Sequence, residues 1–102
     1  MIPEIREQSA AIDELCKRFR VRRLELFGSA VTGRFSPQSS DLDFLVEFEQ
    51  LGANEYADAY FGLLEELQKI FKRQVDLVML ASIKNPYLRE SIERSRTLLY
   101  AA

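Results

Sequence analysis

Three aspartates and a glycine–serine step are the residues of this chain whose types and spacing suit chemistry. Asp41 and Asp43 stand two apart in Ser40-Asp41-Leu42-Asp43. On a strand that spacing projects both carboxylates from one face, within reach of one or two shared cations. Such a pair repels itself until a cation neutralises it. The plainer alternative is a solvated strand face. Against it, Leu42, Phe44, Val46 and Phe48 make the opposite side of the segment apolar throughout, as in a central strand. Asp76 lies in Val75-Asp76-Leu77-Val78-Met79-Leu80, where a lone charge is costly unless paired or metal-bound. It is either a third ligand or one half of a buried salt bridge, to Arg34 or Arg73. If its strand lies beside that of Asp41 and Asp43, three carboxylates gather.

Gly28-Ser29 closes the run Leu24-Glu25-Leu26-Phe27. A strand that ends in Gly-Ser and turns into a helix presents free backbone N–H groups on which a phosphate can sit. Gly28 lets the backbone approach closely, and Ser29 adds a hydroxyl. The same dipeptide also marks ordinary turns, so its weight comes from the aspartates that follow it.

Composition removes several other chemistries. The chain has no histidine, which excludes Ser-His-Asp and Cys-His catalysis and most transition-metal sites. Its single cysteine, Cys16, excludes an intramolecular disulfide and a multi-cysteine zinc site. Any metal must then be held by oxygen, which points to magnesium, manganese or calcium. The formal charge is −2, from 14 basic and 16 acidic residues, whereas nucleic-acid-binding modules show a basic excess or stripe. Direct nucleic-acid binding is therefore disfavoured. No apolar run approaches the roughly 20 residues of a membrane span, and the opening MIPEIREQ lacks the blocks of a signal peptide. A cytoplasmic location is expected. The 102 residues suit one domain, residues 1–102, whose small size makes a partner covering apolar surface helpful.

The elements that must position these residues follow from hydrophobic period. Residues 3–20 read as a helix with Ile12, Leu15, Cys16 and Phe19 on its apolar stripe. Residues 22–27 alternate as a strand stopped by Gly28, and 29–34 suit one or two helical turns. Residues 35–40 are a loop within the domain. Residues 41–48 form the second strand, with Leu45 and Glu47 on the face of Asp41 and Asp43. After Gly52-Ala53-Asn54 a long helix runs to about residue 72, its stripe built from Tyr60, Leu63, Leu64, Leu67 and Phe71. Residues 74–80 are the third strand. Asn85 and Pro86 open a closing helix carrying Leu88, Ile92, Ser95 and Leu99 on one side. The order α-β-α-β-α-β-α predicts an α+β fold, a small mixed three-stranded sheet with helices on one face and the other partly open. Cys16 reads as core, Glu47 as an exposed acid or salt bridge, and Arg22-Arg23 as a solvated strand start.

The combination of Gly28-Ser29, three intervening residues, Gly33, then Ser40-Asp41-Leu42-Asp43 and a distant Val75-Asp76-Leu77-Val78 resembles the DNA polymerase beta-like nucleotidyltransferases. Within them it is similar to the minimal (MNT, MntA-like) group, over nearly the whole chain. The resemblance implies two magnesium ions held by Asp41, Asp43 and Asp76, and ATP phosphates bound at Gly28, Ser29 and Gly33. It implies AMP transfer from ATP to a tyrosine hydroxyl of a HEPN-domain toxin, the chain being the antitoxin of the pair. An antitoxin that neutralises its partner by contact alone is the rival expectation, and a small domain with merely structural aspartates is a third. The family commonly reads Gly-Ser-x-Ala-Arg-Gly, whereas this chain has Val31 and Thr32. The departure removes a cation beside the phosphates, and Arg34 is the nearest substitute in sequence.

Overall fold

The computed structural model describes residues 2–32 and 41–102. These residues form a four-stranded sheet in the order β3-β2-β1-β4. Its strands are β1 (Val21–Phe27), β2 (Leu42–Phe48), β3 (Val75–Met79) and β4 (Thr97–Ala101). β1 is antiparallel to β2 and to β4, and β2 is parallel to β3. A parallel pair needs a long crossover, and here it is α4 (Ala53–Phe71). The remaining helices are α1 (Pro3–Glu7), α2 (Ser9–Arg18), the one-turn α3 (Ser29–Thr32) and α5 (Pro86–Ser95), with a 3-10 turn at Leu80–Ser82.

The periodicities hold where they are longest. Leu63, Leu67 and Phe71 of α4 are buried, as are Ile12, Leu15 and Cys16 of α2. They close over Leu24 and Leu26 of β1 and Leu42, Phe44, Val46 and Phe48 of β2 to make the main core. Asn85 caps α5 by accepting the Tyr87 N–H at 2.9 Å, and Pro86 takes the first turn, where its missing N–H costs nothing. Arg20 and Lys72 end their helices with φ of 58° and 54°, the left-handed conformation that reverses the chain into β1 and β3.

Three expectations are corrected. The sheet has a fourth strand, because the closing helix stops at Ser95 and Thr97–Ala101 pairs with β1. Thr97, Leu98 and Tyr100 suit a pleated surface as well as a helix, and the open edge of β1 decides between them. Leu99 accordingly lies on a strand and not on the stripe of Leu88 and Ile92. The predicted helix over 3–20 is two helices, divided at Gln8. Finally, helices do not cover one face alone. Phe27 and Leu45, which point away from the main core, bury against Ile83 and against Ile92 of α5. The second face is thus covered along part of its length, and the uncovered part holds the aspartates. No helix among the described residues is long and apolar enough to cross a membrane.

Candidate active site

β1 delivers Gly28 to the end of the sheet, and the cross-strand register places Asp43 beside it, since Phe27 pairs with Asp43. The fit is close. Gly28 has φ +80°, and a Cβ at this position would lie 2.5 Å from Asp43 Oδ2. Both the left-handed backbone and the carboxylate at its side require glycine. The Gly28 N–H donates to Ser95 Oγ at 2.9 Å, and that hydroxyl donates to the Ser91 carbonyl at 2.9 Å. Ser95 is buried and fully used, so it ties α5 to the glycine turn. α3 starts at once: the Val31 and Thr32 N–H groups return to the Gly28 carbonyl at 3.0 and 3.2 Å.

The parallel pairing of β2 and β3 sets Asp43 directly against Asp76. Burial first, then a hydrogen bond with Asp76 and the charges of Asp76 and Asp41, push the Asp43 carboxyl up to about 7. The shift expresses a crowding of negative charge of the kind that a divalent cation would relieve. Asp76 itself is exposed, which corrects its reading as a charge sealed in an apolar strand. β3 is an edge strand, and while Val78 packs against the second-face cluster, Asp76, two residues earlier on the same face, stays exposed. Arg73, proposed from sequence as its partner, forms an ion pair with Glu4 of α1 at 3.2 Å. Asp41 precedes β2, is exposed, and reaches Asp43 through its field. Among the described residues, no group of three or more His, Cys, Asp or Glu side chains converges closely enough to form a cage for a metal. The structure thus joins Asp43 and Asp76 and leaves Asp41 at the rim. The oxygen-only donor set suits a hard cation that keeps its own waters and substrate phosphates as ligands. Gly33 and Arg34, and the loop over 35–40, lie outside the described residues.

Two clefts meet at this point. One, of about 450 Å³, contains Asp43 and Asp76 with Tyr60 and Leu64 of α4 and Leu88 of α5. The Tyr60 hydroxyl donates to the Leu77 carbonyl at 2.6 Å and so fixes the aromatic wall. The other, of about 580 Å³, runs between α3 and α5, with Ser29 and Thr32 on one side and Tyr87, Ser91 and Arg94 on the other. Gly28 and Ser91 line both. The arrangement suits a phosphate chain on the serine side whose reacting end reaches the acidic pair.

Sequence reasoning missed what α5 contributes. Tyr87, Ser91 and Arg94 recur at helical spacing, which signals a shared face but does not say what that face meets. Glu47 pairs with Arg22 at 3.5 Å, as expected of a non-ligand, and Cys16 is core, its thiol pushed up to about 12 by burial and by Asp13. Arg22 and Arg23 are exposed at the start of β1, as expected, and Arg23 also donates to buried Glu25 at 2.8 Å.

The family described as nucleotidyltransferase domain matches residues 9–99. A Methanocaldococcus jannaschii protein, provisionally named a protein adenylyltransferase, is 38% identical over 76 residues, 74% of each chain. Protein adenylyltransferase MntA of Thermococcus cleftensis is 39% identical over 72 residues, 71% of this chain and 69% of that one. In fold, the chain is similar to a chain from the complex of the tri-AMPylated Shewanella oneidensis HEPN toxin with its MNT antitoxin. The TM-score is 0.63 at 21% identity, covering 96% of this chain and 73% of that one.

Proposed function

Because the chain belongs to the nucleotidyltransferase domain family, in company with the MntA-like protein adenylyltransferases, we propose that it transfers AMP from ATP to a hydroxyl of a partner protein. The partner is a HEPN-domain toxin, the acceptor a tyrosine, and this chain the antitoxin. One observation carries the reading: Asp43 stands against Asp76 on adjacent strands, at the side of the Gly28–Ser29 turn.

In the transfer, the acceptor oxygen attacks the α-phosphorus of ATP. The bond from that phosphorus to the bridging oxygen of the β-phosphate breaks, and pyrophosphate leaves. Asp41, Asp43 and Asp76 would hold magnesium, which supplies neutralisation of the charge on the attacking and leaving oxygens. Ser29 and the backbone beside Gly28 hold the leaving phosphates in line. Asp76, the more exposed of the paired acids, faces the acceptor cleft and takes the hydroxyl proton. Leu88, Tyr87 and Phe61 are exposed apolar side chains of α5 and α4, and Phe61 packs edge-on against cleft residue Tyr60. They give a protein acceptor something to rest on beside the acids.

The test is label transfer from ATP carrying a labelled α-phosphate, with magnesium and a HEPN-domain protein sought in the adjacent gene. Label should appear on that protein with the wild-type chain and not with Asp43→Ala. Full neutralisation of the partner by Asp43→Ala, with no label passed by wild type, would establish the contact-only antitoxin instead.

A further inference from the structure

The cleft between α3 and α5 has a wall that the acid pair does not account for. On α5, Tyr87, Ser91 and Arg94 follow one another at four and three residues and line that cleft together. The C-terminal end of the helix is fixed at the glycine turn, because Gly28 N–H is bonded to Ser95 Oγ at 2.9 Å. Arg94 is the residue before that anchor. It lines the same cleft as Gly28 and Ser29.

Charge makes the position informative. Among the described residues lining this cleft, Arg94 is the one cation. Thr32, which lines the opposite wall, brings no charge. Arg94 is largely exposed and is held by Glu90, one turn earlier on the same helix. A solvent-exposed pair of this kind is weak, so Glu90 keeps the guanidinium oriented without immobilising it. Polyphosphate offers more negative charge than one carboxylate and accepts two parallel N–H bonds from a guanidinium.

We infer that Arg94 binds the leaving phosphates of the nucleotide, exchanging Glu90 for phosphate oxygens when ATP enters. The inference rests on the nucleotidyltransferase reading and adds a residue to it. Arg94 thus supplies from α5 a positive charge that Val31 and Thr32, described residues of the turn, do not carry. Its role is to hold pyrophosphate both before and after the bond breaks. Its loss should therefore appear in ATP affinity more than in turnover at saturating ATP.

Calorimetry of the chain in magnesium, with ATP and with inorganic tripolyphosphate as probes, tests this. Arg94→Ala should weaken both by about tenfold, and Arg94→Lys should recover part of the loss because a point charge remains. Glu90→Gln should bind both at least as tightly as wild type. Arg22→Ala, which removes an exposed cation elsewhere on the sheet, should bind like wild type and excludes a general charge effect. Circular dichroism on each variant separates binding from folding. Wild-type affinity in a folded Arg94→Ala would overturn the role of Arg94 and leave the nucleotidyltransferase reading standing. A wild-type chain that binds neither probe would overturn both.

Discussion

Glu25 and Asp43 lie on neighbouring strands and on one face of the same sheet, since Phe27 pairs with Asp43 and Glu25 with Leu45. Around Glu25 the charges are complementary. Arg96 donates twice to its carboxylate, at 2.8 Å each, Arg23 adds a third bond at 2.8 Å, and Glu93 takes the free edge of Arg96 at 2.7 Å. The Arg96 bonds lead in holding the Glu25 carboxyl down at about 2, against the opposing effect of burial. Around Asp43 the charges are alike, and its carboxyl is held near 7. One acid has what it needs from the chain itself. The other has like charges for neighbours, the arrangement that marks a candidate binding site more than a structural ion pair.

The largest expected effect sharpens that contrast. Asp43→Asn should lower AMP transfer by about a thousandfold, the worth of several kcal/mol of charge stabilisation. It should not weaken the fold. An acid whose folded pKa is raised is penalised above its unfolded value, so removing the charge at pH 7–8 removes the penalty. In metal-free buffer the melting temperature should rise by about 4 °C. A fall in melting temperature would mean that Asp43 is structural after all.

Glu25→Gln is the converse substitution, with cost in stability and little specific loss of chemistry. It leaves Arg96 without its bidentate partner and should cost roughly 3 kcal/mol in urea unfolding. The pH dependence follows with a definite sign. Glu25 has its folded pKa lowered from 4.5 to about 2, so its contribution is complete above pH 4.5 and is lost as pH falls toward 2. Wild type should lose stability over that window, and Glu25→Gln should show a flatter acid limb. Equal slopes would break the comparison.

Gly28→Ala and Ser95→Ala probe the turn that stands between the two clusters. Alanine at position 28 meets a positive φ and the Asp43 carboxylate at 2.5 Å. It should cost about 2 kcal/mol and most of the transfer activity. Ser95→Ala removes the acceptor for the Gly28 N–H and should cost about 1 kcal/mol. Any loss of transfer there should be small compared with Gly28→Ala, since the glycine backbone keeps its conformation.

Much of the site was legible in the sequence because it is written in local patterns. A two-residue spacing puts Asp43 on a strand face whatever the fold, and an apolar opposite face marks β2 as central. Gly-Ser after a strand identifies the turn, and the combination with Asp76 identifies the family. What the pattern could not give was company. Asp76 looked buried by its neighbours in sequence, yet it is exposed, because β3 is an edge strand and only tertiary packing says where an edge lies. Thr97–Ala101 read as helix on the period of Leu88, Ile92 and Ser95, and became β4 because β1 had an unpaired side. Glu25 drew no attention, since its partner Arg96 is 71 residues away.

The sequence by itself therefore determined the chemistry open to the chain: oxygen donors in the absence of histidine and of paired cysteines, acids on one strand face, a glycine where no side chain fits. These depend on residue type and backbone period, both local properties. The tertiary structure alone decided which carboxylates meet, which strand is an edge and which face of α5 looks at the glycine turn. Those are set by register and docking, and they bring Asp76 to Asp43 and Arg94 to Ser29's cleft from far along the chain.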